Sequence, residues 1–173
     1  MMHEMVRIVA AALRDTTIGV AVQLATIPRE AGDPVPPAPT ILDETSDTQT
    51  ALDQIPDAPG PFLQVGATAL REEYITVTPS RKTEVDIMIR YCVRSSLTTR
   101  SLNEARQTER AIRRILSILP QQSDALTFRN RAQLFHVTTY ATDEHKAPIE
   151  DVGLVVVMRF TVHGRDLRTM EGS

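Results

Sequence analysis

Eight of the chain's eleven prolines fall between Pro28 and Pro61, separated by acidic and small polar residues. Proline fixes its own φ and has no backbone N–H to donate, so a stretch this rich in it carries neither a long helix nor a central strand. Connections inside compact domains usually take about 4–6 residues. The segment 28–61 therefore reads as an extended arm or loop inserted in whatever the flanking sequence builds, with a short helical turn near Thr48–Gln54 as its one regular feature.

The flanks are strongly patterned. From His3 to Asp15, residues Met5, Ile8, Val9, Ala12 and Leu13 recur at spacings of three and four, which predicts an amphipathic helix ending where Asp15-Thr16-Thr17 compete for the backbone. Ile18–Ile27 is ambiguous: Val20, Val22 and Leu24 alternate as in a strand, and Gly19 and Thr26 weaken a helix. After the arm, Phe62–Gly66 and Glu73–Val77 read as two short strands. Glu84–Arg94 alternates cleanly, with Val85, Ile87, Ile89, Tyr91 and Val93 on one face. A polar turn, Ser95–Ser101, leads to a second helix whose buried stripe is Leu102, Ala105, Ile112, Ile115, Leu116 and Leu119, stopped by Pro120. Leu134–Tyr140 and Gly153–His163 then form an antiparallel pair across a charged turn, Thr142–Asp151.

Strands in meander-like groups with only two long helices predict an α+β fold: an antiparallel or mixed sheet packed against two main helices, with a long proline-rich arm. At 173 residues this is one domain, 1–173. One cysteine excludes a disulfide framework, and a net charge of -3 excludes a polybasic nucleic-acid coat. No apolar run approaches the roughly 20 residues that cross a bilayer, and the N-terminus lacks a signal peptide's apolar core, so a soluble, intracellular protein with no membrane partner is expected.

Chemistry is sparse. Seven scattered glycines make no phosphate-cradling loop, which disfavours nucleotide hydrolysis. His3, His136, His145 and His163 lack metal-binding spacing, although His136 and His163 sit on strands that could pair and, with a nearby Asp or Glu, could assemble a site by folding. Solvent-facing histidines are the plainer reading, and neither a catalytic residue, a cofactor nor a metal is assigned. Cys92 falls on the polar side of its strand between Arg90 and Arg94, where a partly exposed thiol would be reactive; a small packed residue is the plainer reading. Asp143-Glu144-His145 reads as solvated turn. Arg106, Arg110, Arg113 and Arg114, with Arg100 just before the helix, give it a basic face that could track phosphates, although Glu104 and Glu109 interrupt it and no aromatic residues interleave.

The N-terminal helix, the arm ending in Ala58-Pro59-Gly60-Pro61-Phe62-Leu63-Gln64-Val65, the strand Val85-Asp86-Ile87-Met88-Ile89-Arg90-Tyr91, a helix and a final strand pair together resemble the tail terminator or tail completion proteins of long-tailed, siphovirus-like phages. The resemblance implies a non-enzymatic virion subunit, assembled in the host cytoplasm, that forms a homo-hexameric ring at the tail–neck junction. Such a ring caps the tube of the major tail tube protein, ends its polymerisation and joins it to the head–tail connector or neck protein, while DNA passes through the lumen without specific binding. Under it, the arm serves intersubunit or tube contact through Pro34, Val35, Pro36, Pro37 and Ile41 and through Pro59, Pro61, Phe62 and Val65. Arg100, Arg106 and Arg110 face a neighbour or the lumen, and acids of the next subunit such as Asp43, Glu44 or Asp47 could pair with this helix. Another neck protein, a nucleic-acid-binding module using helix 102–119, and a small hydrolase or metalloenzyme built on His136 and His163 are the alternatives.

Overall fold

A computed structural model describes residues 2–43, 61–74, 81–93, 99–118, 127–128, 132–145 and 154–166. The turn expected at Thr48–Gln54, Pro59, the acids Glu44 and Asp47, and the helix stop at Leu119-Pro120 lie outside these residues.

Helix α1, Met2–Arg14, follows its apolar stripe: Met5, Val6, Ile8, Val9, Ala12 and Leu13 are all at most 8% exposed, and Arg7, Ala11 and Arg14 are exposed. It ends in a turn organised by one carboxylate. Asp15 accepts hydrogen bonds from the Thr17 hydroxyl at 2.6 Å and from the Thr17 and Ile18 amides at 2.7 and 3.0 Å. These bonds, the Thr17 hydroxyl first, hold the Asp15 carboxyl below its ordinary pKa.

Val20–Thr26 is a second helix, α2, rather than a strand. Val20 and Leu24, one turn apart, are both 1% exposed, and Ile27 follows at 4%. The helix packs against the long helix α3, Thr99–Ile118, so tertiary contact on the 20/24/27 stripe overrides the local alternation of Val20, Val22 and Leu24.

Among the described residues, six strands form one mixed sheet: β1 Thr40–Asp43, β2 Phe62–Tyr74, β3 Arg81–Val93, β4 Thr127–Phe128, β5 Ala132–His145 and β6 Leu154–Asp166, in the order β1-β2-β3-β6-β5-β4. Of these, β1 pairs in parallel, with Thr40 opposite Phe62 and Asp43 opposite Val65; the other pairs are antiparallel. The expected α+β class with a sheet against helices holds, and the sheet is mixed. Four details differ from expectation. Part of the stretch read as an arm is strand β1. Phe62–Gly66 and the start of the second expected strand, Glu73-Tyr74, belong to a single strand, β2, continuous through a bulge at Ala67/Ala69 where the Thr68 hydroxyl donates to the Asp86 carbonyl at 3.3 Å, and Ile75–Val77 lie outside the described residues. Ser101 is inside α3, which starts at Thr99. Thr142–His145, read as a turn, extends β5, so Asp143-Glu144-His145 is strand.

The parallel β1–β2 pair accounts for the length of the proline-rich stretch. Antiparallel neighbours can be joined by a tight turn, but a parallel pair requires the chain to travel back along the strand, which takes a dozen or more residues. Residues 44–61 supply that length. At the start of the pair, the Thr40 amide donates to the Pro61 carbonyl at 3.0 Å. Arg14 then ties β1 to α1. One guanidinium nitrogen meets the Asp43 carboxylate at 2.8 Å and the other donates to the Ile41 carbonyl at 2.8 Å. Asp43 is only 7% exposed, so this pairing offsets the cost of burying its charge, and the reading of Asp43 as an acid offered to a neighbour gives way to an intrachain role.

The core lies between α1, α3 and one face of the sheet. Leu63 and Val65 of β2, Val85, Ile87, Ile89 and Tyr91 of β3, and Met158 of β6 are each at most 1% exposed. They meet Ala105, Ala111, Ile112, Ile115 and Leu116 of α3 in one cluster. Thr108, also fully buried, satisfies its hydroxyl on the Glu104 carbonyl one turn back, at 2.9 Å.

Tyr91 is less well satisfied. Its side chain is fully buried, its hydroxyl has no hydrogen-bond partner among the described residues, and burial, then the charge of Glu104, raises its pKa. An unpaired buried hydroxyl costs stability, whereas an apolar replacement of the same shape does not. Tyr91→Phe is expected to leave stability unchanged or raise it by up to about 1 kcal/mol in urea denaturation; a loss larger than that would show that the hydroxyl has a partner.

Candidate interface cleft

The described part of the proline-rich stretch does not stand away from the body. Pro36 and Pro39 are buried, and Pro28–Pro36 runs beside α3. A tight turn sets its direction: the Asp33 amide donates to the Glu30 carbonyl at 3.1 Å, and Gly32 between them has φ +99. A positive φ at this third turn position is the geometry for which glycine is preferred. Arg29 fixes the turn to α2 by donating to the Leu24 carbonyl at 2.8 Å, occupying an acceptor left open at the helix end.

Between this segment and α3 lies a cleft of two adjoining recesses, of about 380 and 410 Å³. Asp33, Asn103 and Gln107 line both. Pro34, Pro36, Arg100 and Glu104 complete one, and Pro28, Arg29, Glu30, Arg106 and Arg110 complete the other. The helical wall follows from spacing alone: 103, 106, 107 and 110 lie at intervals of three and four on a single face, opposite the stripe that enters the core.

The charges in the cleft are mixed. Arg100 is paired with Glu104 at 2.9 Å across one turn, as Arg113 is with Glu109 at 2.7 Å farther along the helix. Glu30 and Asp33 face the wall that carries Arg106 and Arg110. An acceptor also waits there: the Gln107 side-chain oxygen is buried and has no partner among the described residues. Carboxylates of this kind repel a phosphate backbone, whereas a polypeptide supplies both N–H donors and charges of either sign. The basic helix face expected from sequence is thus partly neutralised by its own glutamates and by the turn that folds over it.

The cleft gathers Pro34, Pro36, Arg100, Arg106 and Arg110 from among the sequence candidates, and Val35, 51% exposed, stands beside it. Pro37 is also exposed. Other candidates are corrected. Val65 is fully buried in the core and Phe62 is 5% exposed; Pro61 is buried, and Ile41 is packed against the core. Apolar wording at the end of the arm reflects the entry of β2 into the sheet, not a surface offered outward. The turn residues Glu30 and Asp33 and the helix residues Asn103 and Gln107 were missed. Their common face on α3 was readable from spacing, but the opposing wall depends on α2 turning the chain back.

Cys92 is 4% exposed, and burial pushes its thiol up to about 11 against the opposing pull of Arg90. The reactive reading is therefore overturned: the thiolate is disfavoured where a nucleophile would need it. Among the described side chains, which do not include those of His136 and His163, no three His, Cys, Asp or Glu are grouped to hold a metal. No helix among the described residues is long and apolar enough to cross a membrane. Comparison with protein-family models and with curated proteins finds no match to the chain.

Proposed function

We propose that the chain is a structural subunit of a long-tailed phage tail, closing into a ring that caps the tail tube, ends its polymerisation and joins it to the head connector. The observation that carries this reading is the cleft, in which the proline-bearing segment and the outer face of α3 form one surface with charges of both signs. Such a surface suits a protein neighbour. The sheet supports the same reading through its two unlike margins, the short parallel β1 at one side and β4 with β5 at the other. Unlike margins favour head-to-tail association, and head-to-tail contacts produce a ring when the rotation per subunit closes. Pro34, Val35 and Pro37 form the stiff lip of the contact, because prolines have little freedom to lose on docking. Arg106 and Arg110 supply its charge complementarity. DNA traverses the lumen without a dedicated binding site.

Light scattering and negative-stain imaging, with and without assembled tail tubes, test the proposal. The expected result is a ring of about six chains, free or at tube ends. Replacing Arg106 and Arg110 together by alanine is expected to weaken assembly about tenfold or more while leaving the far-ultraviolet circular dichroism unchanged. A persistent monomer that ignores tubes overturns the proposal. Assembly undisturbed in the double variant moves the contact away from the cleft.

A further inference from the structure

Strand β1 forms a margin of the sheet: among the described residues its one strand neighbour is β2. Along a strand the main-chain N–H and C=O of successive residues point alternately to the two sides. The Thr40 amide donates to the Pro61 carbonyl at 3.0 Å, so Thr40 and, two residues on, Leu42 turn their main-chain groups toward β2. Those of Ile41 then point outward, where a further strand would pair with them.

Arg14 occupies that outward position. Its two terminal nitrogens go to different acceptors, one to the Ile41 carbonyl and one to the Asp43 carboxylate, each at 2.8 Å. The side chains of Ile41 and Asp43 share the helix face of β1, where Ile41 meets the core and Asp43 is 7% exposed, whereas the Ile41 carbonyl lies at the sheet edge. A planar guanidinium spans both because its donors are set in a rigid fork. The rest of this margin is blunted differently. Pro36, Pro37 and Pro39 lead into the strand, and proline has no N–H to offer a neighbour. Thr40–Asp43 contains no proline, so its edge depends on Arg14.

We infer that Arg14 is an autoinhibitory cap on the β1 edge, which keeps a second copy of this chain from adding its own β1 there. The pairing it blocks is antiparallel and two-fold, with Ile41 opposite Ile41 of the second copy. A two-fold contact uses the same patch on both chains, and opposed residues of a hydrogen-bonded antiparallel pair exchange both of their N–H···O bonds. With Arg14 in place each Ile41 carbonyl is already occupied, and a guanidinium stands where the incoming strand would run. This pairing is separate from the ring contact, which was assigned to the cleft. It closes at two copies and would withdraw chains from head-to-tail association.

The test is oxidative cross-linking of full-length chains, Thr40→Cys mixed with Leu42→Cys. In the blocked register Thr40 stands opposite Leu42 of the second copy at a non-hydrogen-bonded position, where a Cα separation of about 4.5 Å admits a disulfide. With Arg14 present, little cross-linked dimer is expected. Arg14→Lys in both chains should raise the yield about tenfold or more, because the ammonium stays with the buried Asp43 carboxylate and releases the carbonyl. Arg14→Ala/Asp43→Asn should do the same, since it removes the cap without leaving an unpaired buried charge. Thr40→Cys chains alone should cross-link far less, which fixes the register. A yield with Arg14 present that equals the variants' overturns the proposal. So does a folded Arg14→Lys or Arg14→Ala/Asp43→Asn pair that cross-links no more than its Arg14 parent; circular dichroism checks folding, and if the double variant does not fold, Arg14→Lys decides. Rings seen by light scattering in either background leave this result unaffected, so failure of the ring reading and failure of the cap are told apart.

Discussion

Replacing Gly19 by alanine destabilises the chain by about 3 kcal/mol, at the upper end of what overpacking a closed site costs. The reason is proximity. Gly19 has φ -66 and ψ -179, values open to any residue, but a Cβ there would be driven into the Asp15 carbonyl oxygen and would lie 2.7 Å from the Leu13 carbonyl oxygen and 2.8 Å from the Asp15 amide nitrogen. All three are backbone atoms, so none can yield by changing a rotamer. The α1–α2 turn, with its Gly19 amide on the Asp15 carbonyl at 3.0 Å, has to open instead. Gly32→Ala is the contrasting control. Its φ of +99 imposes a backbone penalty of about 1–2 kcal/mol, but nothing lies within 4 Å of the added carbon. Chemical denaturation of the two variants should therefore rank them in that order. Gly19→Ala with wild-type stability would mean that the turn is looser than described.

Ile89→Ala is expected to cost about 3–4 kcal/mol, by loss of transfer free energy and by the cavity left behind. Ile89 is fully buried in β3, opposite Val65 on one side and Met158 on the other, in the cluster that contains Ile112 and Ile115 of α3. Strands on both flanks and a helix layer above leave little room to collapse into the void. Ile89→Val removes one methylene and should cost about 1 kcal/mol. If urea melts place the alanine variant within about 1 kcal/mol of wild type, the β2-β3-β6 packing is not as close as the fold requires.

Helix α1 and strand β3 were legible from sequence because their apolar periods, near 3.6 and 2, coincide with their burial: every member of the Met5–Leu13 stripe and of the Val85–Tyr91 alternation is in the core. Helix α2 was not legible, since only the seat beside α3 distinguishes the 20/24/27 stripe from the alternation at 20/22/24. The β2 strand was broken in the reading because Gly66, Ala67 and Ala69 have little strand preference of their own; the ladder with β3 supplies it. Half of the cleft could be read. The α3 face is a local pattern, whereas the Glu30–Asp33 wall depends on the turn at Gly32 and on Arg29 holding the end of α2. The pairing of His136 with His163 shows the same division. That their strands could pair was visible in the alternation, but that the two residues stand opposite each other depends on a bulge that composition does not announce.

The last strand in chain order, β6, is not at the margin of the sheet but between β3 and β5. Before it arrives, β1-β2-β3 and β4-β5 are two separate half-sheets, each with a raw inner edge. β3 ends at Val93 and its partner begins only at Leu154, so the central seam must close a long loop before any ladder bond repays the entropy. On the ribosome the chain cannot finish this sheet until β6 has emerged. Folding is then governed by non-local pairing and is slow relative to that of a helical domain of similar size. During that interval the half-sheets can recruit a strand from another chain as readily as their own.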